Sequence, residues 1–175
     1  TTMVYRPNGL LEELIEPDGA RLKFGYDDSD RLVSVTEGDG GVIRYTLDSA
    51  GNRVQEQRFD AQGAVTYSTS SVFDPLGRNT ALIDSEMNEK RFIYNADQQV
   101  ASEVDANGGM TTFNYDGLGR LVRFGMGDGS GETASSLFAY DALDQLTQVT
   151  DPKGLGTTYA HNGRGDLIAQ VSPDA

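Results

Sequence analysis

The chain has no cysteine and no tryptophan, one histidine, five prolines and no long apolar run. Without cysteine these residues hold no disulfide, no thiolate nucleophile and no Cys-ligated zinc, and a Ser–His–Asp site would have to use His161. No stretch is apolar over the length a membrane-crossing helix needs, and no charged, apolar, small-residue leader opens the chain. Membrane insertion by this segment is therefore not expected, and an export address is expected outside it. Positive charge is scarce as well: 14 Lys and Arg stand against 27 Asp and Glu, a formal net charge of −13, without a basic patch. Binding to nucleic acid or to anionic membranes is disfavoured.

What the chain does have is glycine, 21 residues of it, and a repeated phrase. "FNYDGLGRLVRF" at 113–124 returns as "FGYDDSDRLVSV" at 24–35 and "FAYDALDQLTQV" at 138–149. Aligned on its tyrosine, the slot falls at Tyr5, Tyr26, Leu47, Phe73, Tyr94, Tyr115, Tyr140 and His161, with steps of 21 residues except for two longer ones. Two residues earlier stand Met3, Phe24, Tyr45, Ser71, Phe92, Phe113, Phe138 and Tyr159. These two columns hold every Phe and Tyr but Phe59, Tyr67 and Phe124, so each repeat uses its rings for one structural task. The residues expected to form that aromatic ladder are Tyr5, Phe24, Tyr26, Tyr45, Phe73, Phe92, Tyr94, Phe113, Tyr115, Phe138, Tyr140 and Tyr159.

Turn residues recur in phase with the rings. After the slot comes Asp27, Asp48, Asp74, Asn95, Asp116, Asp141 or Asn162, with Arg6 the exception; such a side chain bonds backbone N–H groups two or three residues on. Three places later stand Gly9, Asp30, Gly51, Gly77, Gly119, Asp144 and Gly165, residues suited to left-handed backbone, with Gln98 the outlier. A second turn follows in each repeat, as in "EPDG" at 16–19, "DAQG" at 60–63 and "DPKG" at 151–154; "DSEM" at 84–87 replaces its glycine with Met87. Between turns the pattern has period two: Leu22, Phe24 and Tyr26 share one face, Arg21, Lys23 and Gly25 the other. Each repeat thus reads turn, strand, turn, strand, and residues 1–175 form one array of about eight repeats of 21 residues, all-β. The longer repeats lie near 47–72 and 115–139: the first predicts a projecting hairpin at 53–73, the second a longer loop at "GDGSGE", 127–132.

Y-D-x-x-G-R-L followed by a second turn and repeated in tandem resembles the YD-repeat, or RHS-repeat, family. "YDGLGRL" at 115–121 is the nearest copy of the motif, "FDPLGR" at 73–78 the next, and "YDDSDRL" at 26–32 departs at the glycine. The resemblance implies tandem β-hairpins laid side by side in a curved, spiralling antiparallel sheet. In bacterial RHS proteins and the C components of Tc toxins such a sheet closes into a shell around a C-terminal toxin; teneurins carry a similar structure at animal cell surfaces. It implies other YD repeats of a parent chain and an enclosed toxin domain as partners, and a secreted or cell-surface bacterial protein, toward which the lack of cysteine also leans. Roughly sixteen strands at about 4.8 Å make a strip on the order of 75 Å, a wall segment rather than a container. The chain starts just ahead of one tyrosine slot and stops in "SPDA", 172–175, so it is expected to be a piece of a larger protein whose open sheet edges favour edge-to-edge self-association.

Other motifs read as parts of the repeat. His161 occupies a tyrosine slot, and the carboxylates are explained by turns, so no catalytic residue and no enzyme activity is expected. "DPKGL" at 151–155 resembles a signature near the cleavage site of RHS and Tc proteins, but Asp151 and Gly154 stand in ordinary turn phase. "DGSGE" offers Asp128, Ser130 and Glu132 as oxygens, yet Ala139 falls where a calcium loop needs its bidentate Glu, and no metal or cofactor is expected. "GMGDGSG" at 125–131 leads into a strand rather than a helix, so it lacks a phosphate-binding helix terminus. The alternative function is a cell-surface module binding a glycan or receptor, through the long hairpin or through Phe59, Tyr67 and Phe124.

Overall fold

The protein is represented by a computed structural model that describes residues 1–173; the last part of the turn expected at 172–175 lies outside the described residues. Among the described residues there are sixteen strands and no helix. A first compact unit, Thr1–Glu89, holds β1 (Thr2–Tyr5), β2 (Leu11–Ile15), β3 (Arg21–Tyr26), β4 (Leu32–Glu37), β5 (Val42–Leu47), β6 (Arg53–Phe59), β7 (Val65–Phe73) and β8 (Asn79–Ile83). The second, from Lys90 onward, holds nearly all of β9 (Glu89–Tyr94), then β10 (Val100–Val104), β11 (Met110–Tyr115), β12 (Leu121–Gly127), β13 (Glu132–Tyr140), β14 (Leu146–Thr150), β15 (Gly156–His161) and β16 (Leu167–Val171). Within each, strand order is chain order and every pairing is antiparallel.

Short turns force this order, because a connection of four or five residues leaves a strand no choice but to pair with its predecessor. Period-two patterning then sets which side chains meet across the ladder. Phe24 lies opposite Val35, Tyr45 opposite Glu56, Phe92 opposite Glu103, Phe113 opposite Phe124 and Phe138 opposite Val149. In all eight repeats the register shifts at the tyrosine slot, as between Gly25 and Tyr26 or Ala139 and Tyr140. A bulge beside the slot bends the strand and re-aims its side chain.

The sheet has almost no core. Ala81, Ser102 and two glycines, Gly41 and Gly125, are the buried residues among those described, and no side chain is fully buried. Stability therefore rests on ladder hydrogen bonds, cross-strand pairs and turn chemistry.

The longer hairpins differ in detail from the sequence reading. β6 and β7, of 7 and 9 residues, extend the third repeat as expected. β12 and β13 are also 7 and 9 residues long, so the extra residues near 127–132 lengthen the strands as well, leaving Asp128 to Gly131 as the loop. Gly127 makes this possible, since a Cβ there would stand 2.2 Å from the Gly131 carbonyl oxygen.

Candidate functional site

The feature repeated along the chain is a junction between neighbouring repeats, and its foundation is the turn. In the "YDGLGR" turn the Asp116 N–H donates to the Arg120 carbonyl at 3.0 Å, and the Gly119 N–H donates to the Asp116 carbonyl at 3.0 Å. The fourth residue takes positive φ, 81° at Gly119, which completes a type I turn with a glycine bulge. The same two bonds close the turns from Arg6 to Gly9 through Asn162 to Gly165, while the β12–β13 loop closes differently. Asp30, Met87, Gln98 and Asp144 adopt this left-handed backbone without being glycine, at φ of 60–66°.

The turn-opening carboxylate does more than an ordinary Asx turn. Asp116 Oδ1 accepts from the N–H of Leu118 and of Arg120, two and four residues on, where the sequence suggested two or three. Its Oδ2 accepts from Arg120 Nε at 2.7 Å. Asp27 with Arg31 and Asp74 with Arg78 repeat the arrangement, and Asp48 with Asn52 and Asp84 with Asn88 use an amide instead. Where the first residue is not Asp or Asn, the acceptor moves to the third: Asn8, Asp18 and Asp39 each bond the fifth residue's N–H. The compensation is visible in "RPNG", "EPDG" and "EGDG", a signal that periodicity alone does not raise.

From this clamp the arginine reaches the next repeat. Arg31 Nη1 donates to the Asp48 carbonyl at 3.1 Å, and Arg120 Nη1 donates to the Asp141 carbonyl at 3.1 Å and to Asp144 Oδ1 at 2.7 Å. The Arg120 guanidinium also lies 4.8 Å from the centre of the Tyr140 ring. Gln99 makes the equivalent reach to the Gly119 carbonyl at 3.0 Å. Tyrosine fastens the same junction from the other side. Tyr26, Tyr115 and Tyr140 donate to the carbonyls of Leu11, Val100 and Leu121 in the preceding repeat, at 2.8, 3.0 and 2.9 Å. The arginine was present in the motif as the R of "GRL"; its role was not legible because nothing in one repeat shows what the next presents to it.

The column residues lie on the strands, each at a strand end beside a turn or two residues before that end. Phe24, Tyr26, Tyr45, Phe73, Phe92, Tyr94, Phe113, Tyr115, Phe138, Tyr140 and Tyr159 are half-buried on their strands, and Tyr5 is exposed on β1. Their neighbours are frequently cations: Arg6 over Tyr26, Arg53 over Tyr45 and Lys90 over Phe92. One ring pair, Phe113 with Phe124 at 5.7 Å and edge-on, joins a column residue to a ring outside the columns. Hydroxyl-to-carbonyl contacts and guanidinium-to-ring contacts such as Arg6 over Tyr26 thus add to the backbone ladders between repeats.

The clamp sets the charge state of the turns. The Arg31 N–H holds Asp27 below the ordinary carboxylate range, as the side chains of Arg78 and Arg120 hold Asp74 and Asp116. The amides of Asn52 and Asn88 do the same for Asp48 and Asp84. Asp116 in turn raises the Arg120 guanidinium.

The remaining motifs have local partners. Asp151 and Gly154 of "DPKGL" close a turn of the common type, with Lys153 and Leu155 N–H groups on Asp151 Oδ1. Asp128 accepts from the Ser130 N–H and hydroxyl, while Glu132 turns to Arg123 and Thr112. His161 ends β15 opposite Leu167. Among the described residues no group of three or more His, Asp or Glu side chains is placed to hold a metal.

The RHS Repeat family model matches residues 5–42, 26–64, 94–133 and 140–175. No curated protein matches the chain in sequence. Among solved structures, the TcdB2–TccC3 complex without its hypervariable C-terminal region matches over 99% of this chain and 10% of that chain, at 16% identity and a TM-score of 0.71. The Photorhabdus luminescens Tc holotoxin pore matches over 98% of this chain and 12% of that chain, at 15% identity and a TM-score of 0.48. The chain therefore spans about a tenth of the length of the solved chains it resembles.

Proposed function

Since the chain belongs to the RHS-repeat family, we propose that it is a noncatalytic wall segment of an RHS-type shell that encloses a C-terminal toxin domain of its parent protein. The observation that carries this reading is the junction itself: the hydroxyls of Tyr26, Tyr115 and Tyr140 and the guanidinium groups of Arg31 and Arg120 fasten hairpins to their neighbours while almost nothing is buried within a repeat. Such an array is built to extend a surface, since backbone bonding is continuous and each repeat depends on its neighbours. The fold shared with the TcdB2–TccC3 complex supports the reading. The acidic surface, with 27 Asp and Glu placed largely in turns, keeps a wall soluble without a packed interior.

The test uses the parent reading frame. Further YD repeats followed by an unrelated C-terminal domain are expected, and limited proteolysis of the full product should leave that domain intact while the same domain expressed alone is digested. Equal digestion of both would overturn the encapsulation reading.

A second reading, a glycan or receptor module, draws on the long β6–β7 hairpin, where Tyr67 is 42% exposed with Arg58 against its ring. Glycan-array binding lost in Tyr67→Ala would favour it; a silent array leaves the wall reading in place.

A further inference from the structure

At the junction of the third and fourth repeats a donor is missing. The fifth residue of a first turn faces the turn of the next repeat. A Cβ on Gly51 would lie 3.8 Å from Arg31 Nη1, on Gly119 3.2 Å from Gln99 Nε2 and on Gly165 3.2 Å from Gln145 Nε2. In these junctions the atom presented is a nitrogen. Gly77 instead faces Asn52 Oδ1, at 3.7 Å, because Asp48 Oδ2 takes the Asn52 amide nitrogen at 2.9 Å. The Asp74 carbonyl accepts from the Gly77 N–H at 2.9 Å, and among the described residues no side chain joins it. The equivalent carbonyls of Asp48 and Asp141 take Arg31 and Arg120 as well. We propose that this gap binds the guanidinium group of an arginine from a partner chain.

The surroundings fit that group. A space of about 530 Å³ stands open between the two turns, beside the Phe73 ring. Among the described residues no cation covers this ring, although Arg6 and Arg120 cover Tyr26 and Tyr140 in the same slot, at 5.0 and 4.8 Å. Ala50, Pro75 and the exposed Leu76 supply an apolar wall for the arginine methylenes. A guanidinium lying on Phe73 can donate to the Asp74 carbonyl and to Asn52 Oδ1 together, which suits a planar fork better than an ammonium. Charge agrees with shape. Asp27, Asp74 and Asp116 each pair with an arginine four residues on, whereas Asp48 holds an amide and no cation. The neighbouring arginines are committed elsewhere: Arg53 to Glu56 and the Tyr45 ring, Arg78 to the Asp74 carboxylate. The chain's net charge of −13 favours the approach of a basic partner.

Titration of the isotope-labelled full chain with N-acetyl-arginine amide, followed by NMR amide shifts, tests this. Saturable shifts confined to the turns at 48–52 and 74–78 are expected, with a Kd on the order of 1 mM. The blocked citrulline analogue, which carries a neutral urea in place of the guanidinium, should produce none. Asn52→Arg recreates the Asp27 and Arg31 arrangement and fills the gap from within, so binding should fall roughly tenfold or more. Phe73→Leu keeps an apolar side chain without the ring and should weaken binding roughly fivefold. The amide spectrum of each variant reports its fold, and Phe73→Leu carries the test should Asn52→Arg fail to fold. No shifts in the wild type, shifts centred elsewhere, an equal response to citrulline, or undiminished binding in the folded variants would overturn the proposal.

Discussion

The Tyr140 hydroxyl donates to the Leu121 carbonyl at 2.9 Å, across the boundary between two repeats. Tyrosine in the slot is therefore a fastener as well as a ring, and phenylalanine keeps the ring alone. Tyr140→Phe is expected to lower stability by about 1 kcal/mol. The same change at Tyr26 and Tyr115 should add to it, since the three sites share no partner. Urea unfolding of the single and triple variants measures this; three neutral substitutions would show that the hydroxyls contribute nothing.

Arg120 joins four groups: Asp116, the Asp141 carbonyl, Asp144 and the Tyr140 ring. Arg120→Lys supplies a charge but not a planar fork, so it is expected to behave much like Arg120→Ala. Hydrogen exchange should report the loss at the 141–145 turn in both variants. Full rescue by lysine would reduce the contact to simple charge pairing.

Acid should loosen the turns. Asp27, Asp48, Asp74, Asp84 and Asp116 have folded values held below the ordinary one near 3.9, so the unfolded chain takes up protons first as pH falls. Their stabilisation is complete above that ordinary value and is lost as pH drops through the depressed folded values. Thermal midpoints should be flat near neutrality and fall below about pH 4, and Asp116→Asn should make the fall shallower. A midpoint that rises on acidification would contradict the clamp.

Left-handed backbone separates two kinds of non-glycine residue. Met87, 80% exposed with φ 66°, is expected to gain about 1 kcal/mol on replacement by glycine. Asp144, with φ 63°, gives up its bond to Arg120 in the same exchange, so Asp144→Gly should gain less. Differential scanning of both variants side by side makes the comparison.

Much of this was legible because a repeated phrase reports its own structure. The strand faces of Phe24 and Tyr26, the Asx turns at Asp27 and Asp116 and the long arms of β6 and β7 follow from period and turn chemistry. What could not be read was what one repeat presents to the next. The bulge at the slot, the reach of Arg120 to Asp141 and the hydroxyl bond of Tyr140 depend on register, which a pattern within one repeat does not encode. The β12–β13 hairpin misled for a related reason: the glycine at 127 read as loop, yet ends a strand where the Gly131 carbonyl leaves no room for a Cβ.

The near absence of buried side chains has a consequence for ancestry. In a protein with a shared core, inserting a stretch of chain disturbs packing far away. Here an in-frame duplication of 21 codons adds two strands, two turns and one more fastening, and asks nothing of residues beyond the immediate neighbours. Length is then a quantity that unequal recombination can adjust in whole steps, while individual copies drift until little besides their turn chemistry remains alike.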